Sequence, residues 1–162
     1  MPITIQPLEP QYIPELKHLI IRVACNIFGW ERPVEEILAE ADENHDFYDI
    51  DDAGDHYFEN RGMFLIALDG DQLIGSGAVR QMSAKSCELK RMWLDENYHG
   101  QGIGYRIIQE LFAFARWAGY SRIELNTSLQ QERAVQFYMQ VGFTFMEMEE
   151  ETGEIVFMER AL

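Results

Sequence analysis

Apolar and polar positions along this chain follow two periods. From Ile3 to Gln6 they alternate at every second residue, which predicts a short strand. From about Tyr12 to Phe28 the period lengthens. Leu16, Leu19, Ile20 and Val23 then share one face, which predicts an amphipathic helix. Pro33 suits the first turn of a second helix, VEEILAEAD. The acidic, aromatic stretch that follows, DENHDFYDIDDAGDHYFENRG, keeps neither period and reads as a loop. MFLIAL predicts a strand, and Asp69-Gly70 a hairpin turn into a partner strand, QLIGSGAVRQ. Gly75 and Gly77 weaken that partner or mark a bulge in it. SCELKRMWL is a further strand. A helix running through IIQELFAFARWAG closes at Gly119. SRIELNT is a strand, and ERAVQFYMQVG a helix closed by Gly142. FTFMEMEE and EIVFMERAL form two last strands joined at Thr152-Gly153.

The predicted order is β-α-α-β-β-β-α-β-α-β-β. It describes one α/β domain over residues 1–162, a mixed sheet with helices on both faces. No repeat, low-complexity segment or internal linker interrupts it. Charge narrows the partners. Lys and Arg number 13 against 28 Asp and Glu, a formal charge of −15. Nucleic acid and anionic membrane surfaces are bound by neutralising phosphates, so neither is expected as a partner. A cationic or amine ligand sits easily with such a balance. The two cysteines, Cys25 and Cys87, are too few for a disulfide scaffold and lie in apolar surroundings, so both are expected as reduced, buried thiols. The start, MPITIQPLEPQYIPEL, has no basic segment and no long apolar run, and a cytoplasmic location is expected.

The chemistry is concentrated before the long helix, at NYHGQGIGYRII. Gly100, Gly102 and Gly104 leave the backbone bare where a helix begins near Ile103. Converging N–H groups and the helix dipole make such a loop an anion site, most often for phosphate. The plain alternative is a strand-to-helix turn that needs positive φ. A P-loop is excluded, because no Lys-Ser/Thr pair follows. A dinucleotide fingerprint would need its third glycine one residue later. Glu124 lies about 20 positions on, as that fold requires, but in mid-strand. A dinucleotide-binding protein therefore stands as a remote alternative.

The segment ELKRMWLDENYHGQGIGYRIIQELFAFARWAGY resembles motif A of the GCN5-related N-acetyltransferases, a strand followed by [QR]-x-x-G-x-[GA] and a helix. His99 stands where the family usually has Gln or Arg. Downstream, AVQFYMQVGF is similar to the family's A-x-x-F-Y-x-x-x-G-F, with Ala134, Phe137, Tyr138, Gly142 and Phe143 in place. Gln131 occupies a position where the family often has Asn. The resemblance covers essentially the whole chain. It implies a mostly antiparallel sheet of about seven strands, splayed between the fourth and fifth, with about four helices on its two faces.

The resemblance further implies acetyl-CoA as acetyl donor, with no metal. Its pyrophosphate would lie on the backbone at His99, Gly100, Gln101, Gly102, Ile103, Gly104 and Tyr105. Its pantetheine amides would pair with the strand edge at Met92, Trp93 and Leu94, as an added strand does. Asn126 and Gln131 would be further contacts. Transfer to an amine needs a base, since an alkylammonium with a pKa near ~10 has no lone pair. Glu88 stands where some members carry a catalytic glutamate. A buried structural carboxylate paired with Lys90 or Arg91 is the plain alternative. A backbone N–H at Met92–Leu94 would stabilise the oxyanion of the tetrahedral intermediate. Tyr138 would protonate the leaving thiolate, or serve only as a core aromatic. Transfer would be direct, with Cys87 a remote alternative nucleophile.

The implied activity is N-acetylation of a primary amine on a small molecule such as an amino acid, an amino-acid conjugate or a polyamine-like compound. A non-catalytic acyl-CoA-binding sensor on the same fold is the alternative. Members of the fold occur as monomers or homodimers. The acidic run does not form an EF-hand from Asp49, because Ala53 and Asn60 fall where a ligand oxygen and a Glu are needed. His18, His45, His56 and His99 have no metal-ligand spacing. Asp46, Asp49, Asp51, Asp52 and Asp55, with Phe47, Tyr48 and Tyr57, either attract an amine acceptor or form a solvated loop. Arg80 is a candidate to hold an acceptor carboxylate.

Overall fold

The computed structural model describes residues 2–146 and 154–162. Strand β1 (Ile3–Pro7) leads through a 3-10 turn to helices α1 (Ile13–Phe28), α2 (Val34–Glu43) and α3 (Tyr48–Asp51). Strands β2 (Met63–Asp69), β3 (Gln72–Gln81) and β4 (Ser86–Leu94) follow. Helix α4 (Ile103–Trp117), β5 (Arg122–Ser128), α5 (Glu132–Gln140), β6 (Thr144–Phe145) and β7 (Ile155–Ala161) complete the order. Among the described residues the seven strands form one sheet, in the order β1-β2-β3-β4-β5-β7-β6; the number of strands agrees with the sequence pattern, whereas the strand order was not readable from it. Every neighbouring pair is antiparallel except β4 and β5, which are parallel.

Each end of α1 follows from its sequence. Pro14 sits in the first turn, and Gly29 closes the helix at φ +69°. Gly119 ends the C-terminal turn of α4 in the same way, at φ +95°. The sheet divides the apolar core in two. Alternate residues of β2 supply both halves, so its unbroken run of apolar residues fits a strand covered on both faces. Phe64, Ile66 and Leu68 pack with Leu16, Leu19 and Ile20 of α1. Leu65 and Ala67 join Ile107, Leu111 and Phe112 of α4 on the opposite face.

The acidic stretch corrects the sequence reading. It holds α3 and a π-helical turn over Gly54–Phe58, with Phe47, Ile50 and Tyr57 buried in the α1-side core. Asp49 is 1% exposed and takes a bidentate ion pair from Arg91. Asp51 pairs with Lys17 at 2.6 Å. This segment is neither a loop without order nor simply solvated, because apolar anchors recur within it and its buried carboxylate has a cationic partner. Cys25 is likewise only half-buried, whereas Cys87 is fully buried. Both are free thiols. At the C-terminal end, β6 is described only over Thr144–Phe145, and Met146 donates its N–H to Phe157 O at 2.9 Å. The rest of FTFMEMEE and the Thr152-Gly153 turn lie outside the described residues.

Candidate active site

The parallel pair β4–β5 is short. Ser86, Cys87 and Glu88 pair with Arg122, Ile123 and Glu124, and there the pairing ends. Beyond it the two strands diverge, leaving the far edge of β4 without a β5 partner. A bulge shapes that edge. Arg91 and Met92 together oppose the single residue Gly77, because Ala78 pairs with Lys90 while Ser76 pairs with Trp93. Arg91 takes φ +55°, and its carbonyl accepts from the buried Ser76 hydroxyl at 2.7 Å.

A one-residue insertion reverses which face each later side chain meets. Leu89 packs on the α4 side and so do Met92 and Leu94, while Trp93 packs on the α1 side. Gly77 leaves room for the side chains that meet at this crossing. A Cβ there would come 2.5 Å from Met92 Sδ and 2.8 Å from Ile107 Cγ2.

A cleft of about 950 Å³ opens along this edge. Its walls bring together residues far apart in sequence. Met92, Trp93 and Leu94 come from β4, and His99, Gly100, Gly102, Ile103, Gly104 and Tyr105 from the glycine loop and the start of α4. Gln131 and Tyr138 come from the α5 side. Of the residues singled out in the sequence, Glu88, Gln101 and Asn126 are not among its walls. Val23, Asn26 and Ile27 of α1 line it too, as does Arg133. Sequence reasoning missed these four. The first three sit within an ordinary amphipathic helix, but a cation immediately before AVQFY was a usable signal for Arg133.

The glycine loop has the geometry of an anion cradle. Gly100 and Gly102 take φ +80° and +77°, and Gly102 is the N-cap of α4 with no side chain capping the helix. Among the described residues, Arg106 N–H is the first to find an acceptor, Gly102 O at 3.0 Å, so the N–H groups of residues 103–105 are left for another partner. A Cβ added at Gly100 or Gly102 would meet nothing within 4 Å. These glycines are therefore required by backbone angle rather than crowding, and the space above them is open. Asp95 fixes the approach to the loop. Its carboxylate accepts from Asn97 N–H at 2.9 Å and pairs with Arg22 of α1 at 2.7 Å.

The titratable groups have distinct environments. Tyr138 is 7% exposed, wedged between Phe137 and Phe143, and burial pushes its pKa up. Burial lowers the pKa of His99, and the neighbouring Arg133 charge adds to the effect. Burial also pushes the Cys87 thiol up to about 12, which leaves almost no thiolate for nucleophilic attack at neutral pH. Glu88 lies on the α1-side face of the sheet at the last paired position before the divergence, with a side chain 15% exposed. Arg80 Nε is 3.6 Å and Lys90 Nζ 3.5 Å from its carboxylate. Arg91 is committed to Asp49 instead. Arg80 also donates to the Tyr48 hydroxyl at 3.2 Å. Asn126 is exposed on β5, opposite Phe157 of β7.

Comparison with known proteins bears on this arrangement. The sequence profile of the acetyltransferase (GNAT) family matches residues 25–143. N-acetyltransferase 8 of Mus musculus is 33% identical over 112 residues, 65% of this chain and 47% of that protein. The uncharacterized N-acetyltransferase YsnE of Bacillus subtilis is 30% identical over 104 residues, 61% of this chain and 69% of that protein. The chain thus spans about half the length of the mammalian relatives it matches. Among solved structures, a GNAT acetyltransferase of Staphylococcus aureus Mu50 superposes with a TM-score of 0.83 at 19% identity over 99% of both chains. The PaiA N-acetyltransferase of Thermoplasma acidophilum, solved in complex with coenzyme A, superposes with a TM-score of 0.81 at 19% identity over 100% of both. The profile covers well over half of the sequence, and the sheet order, the divergent β4–β5 pair and the uncapped glycine loop agree with it: the chain belongs to the GNAT acetyltransferase family.

Proposed function

We propose that this chain is an acetyl-CoA-dependent N-acetyltransferase acting on the primary amine of a small molecule. The observation that carries this reading is the uncapped start of α4, opening with two positive-φ glycines onto a cleft whose far wall is the unpaired edge of β4. A diphosphate fits the N–H groups of the loop, and an extended amide-bearing arm fits the strand edge. The relation of PaiA to coenzyme A supports the same ligand class.

The donor supplies the acetyl thioester, and the chain's own groups do the rest. Residues 99–105, with Gln131, hold the phosphates. The fixed Arg133 charge near His99 favours the polyanion. The Met92–Leu94 edge orients the arm and offers backbone N–H groups to the developing oxyanion, an effect typically of a few kcal/mol. Tyr138 keeps its proton, since burial raises its pKa, and can pass a hydrogen bond or proton to the departing sulfur. Glu88 stands outside the cleft walls, on the α1-side face. Its role is that of a base toward an amine approaching from that face, directly or through water. Asn126, like Gln101, lies outside the cleft walls.

Thermal melting with acetyl-CoA, and with NAD as a control, tests the reading. A ligand at 100 times its Kd adds about 2.7 kcal/mol, or roughly 5–10 °C for a chain of this size. A rise with acetyl-CoA and none with NAD is expected. No rise with acetyl-CoA would remove the basis of every role assigned above. Binding without turnover on a panel of amines would instead favour a non-catalytic acyl-CoA sensor.

A further inference from the structure

The β4 bulge rests on an unusual residue. Positive φ is costly for a side chain as large as arginine, so something must hold Arg91 at +55°. Its side chain is held at several points. Nε and Nη2 donate to Asp49 Oδ2 and Oδ1 at 3.0 and 2.6 Å, and Nη2 also donates to Asp46 O at 3.0 Å. The guanidinium lies 5.4 Å from the centre of the Phe47 ring. Asp49 in turn accepts from the Tyr57 hydroxyl at 2.6 Å, and Tyr57 is fully buried against Phe64. The whole constellation joins the 46–58 segment to the residue just before the Met92–Leu94 edge. None of these side chains lines the cleft.

Burial works against the Asp49 carboxylate, yet Arg91 and Tyr57 outweigh it and hold its pKa below the usual range. The pair is therefore charged at neutral pH, and its bidentate geometry fixes direction as well as distance. Removing either partner of such a buried pair leaves the other charge uncompensated, so the two are held together. Here the pair would define which way the strand turns after Lys90.

We propose that Arg91 is a positioning residue. Gripped by Asp49, which the Tyr57 hydroxyl holds in turn, it keeps the bulge in the form that turns the Met92–Leu94 edge toward the cleft and so aligns the arm of the donor. The proposal rests on the reading of that edge given above. It makes the acidic segment a structural support for donor alignment.

The test separates the two halves of the ligand. Coenzyme A has the pantetheine arm, whereas 3′-phospho-ADP has the same phosphates without it. Both are titrated calorimetrically against the wild type, Asp49→Asn, Arg91→Lys and the double variant Asp49→Asn/Arg91→Gly. Melting curves establish that each is folded at the temperature used. The single variants are expected to lose about tenfold in affinity for coenzyme A while 3′-phospho-ADP stays within about twofold. The double variant has neither a buried unpaired carboxylate nor a strained backbone, since glycine takes this φ freely. It is expected to recover to within about threefold of the wild type.

Equal losses for both probes would show a general structural role and overturn the proposal. So would no loss for either, or a double variant no better than the singles. Equal wild-type affinity for the two probes would sink the strand-edge reading itself, and this proposal with it.

Discussion

Gly102→Ala isolates what the bare backbone of the loop does, because the protein contains a matched control. Gly102 and Gly29 take nearly the same left-handed angles, φ +77° and +69°, and an added Cβ meets nothing within 4 Å at either. Gly29 closes α1 and is not a wall of the cleft, whereas Gly102 caps α4 and is one. Alanine at either site brings the left-handed backbone penalty, about 1–2 kcal/mol, and no clash. For a chain of this length that is a loss of roughly 2–8 °C in Tm, similar for the two variants. Only the Gly102 methyl group would intrude on the open space at the start of α4, where a bound anion would lie. Displacing an anion from one or two charge-assisted bonds, at about 1.5–3 kcal/mol each, weakens binding by at least about tenfold. The assay is a thermal melt and a calorimetric titration with coenzyme A on both variants. Equal destabilisation is expected, with the affinity loss confined to Gly102→Ala. Unchanged affinity in Gly102→Ala would refute the anion-cradle argument and leave the glycines as turn residues only.

Tyr138→Phe removes one oxygen and no packing surface, so kcat is expected to fall by about 10- to 100-fold with coenzyme A affinity and Tm nearly unchanged; equal kcat in steady-state thiol-release assays would end its role as acid. Cys87 is expected to resist a thiol reagent in the native protein while half-buried Cys25 reacts, a difference that mass spectrometry of the modified protein reads directly. Asp49 has a folded pKa below the usual 3.8, so its pairing adds stability above that value, lost as pH falls through the folded pKa; melts of Asp49→Asn are expected to show a flatter decline at acid pH than the wild type. Burial and the Arg133 charge lower the pKa of His99 and favour its neutral form; coenzyme A affinity is expected to rise relative to His99→Gln as the imidazole gains its proton on acidification, and parallel pH profiles for the two would exclude His99 as a phosphate contact.

Local patterns were enough for most elements. The periods of α1, α4 and α5 and the apolar run of β2 give the sheet and its two faces, and Gly100 to Gly104 mark the bare loop at the start of α4. What escaped was non-local. Phe47, Ile50 and Tyr57 are spaced irregularly, and Asp49 is buried only because Arg91, 42 residues away, neutralises it. A positive φ at Arg91 leaves no mark in the sequence, since arginine is not a turn residue. Gly75 and Gly77 suggested a bulge within QLIGSGAVRQ, and one lies there at Ile74 beside Gly75, but the bulge opposite Gly77 belongs to β4, and its extra residue depended on the pairing of Ser76 and Ala78. The walls from α1 were hidden for a similar reason. Val23 and Ile27 look like core positions of any amphipathic helix until the sheet beneath them parts.

The strand order has a consequence for biosynthesis. β7 comes after β6 in the chain but lies inside it in the sheet, paired with β5 over seven positions, from Arg122 with Ala161 to Ser128 with Ile155. On its other side β5 has only three partners in β4. A ribosome releases β5 and β6 before β7, so beyond Glu124 the nascent β5 has two bare edges until β7 arrives. During that interval the chain offers an unpaired template to its neighbours, the circumstance in which strands pair between molecules. Stalled or prematurely ended chains lacking β7 should accordingly aggregate rather than persist as a slightly shortened domain.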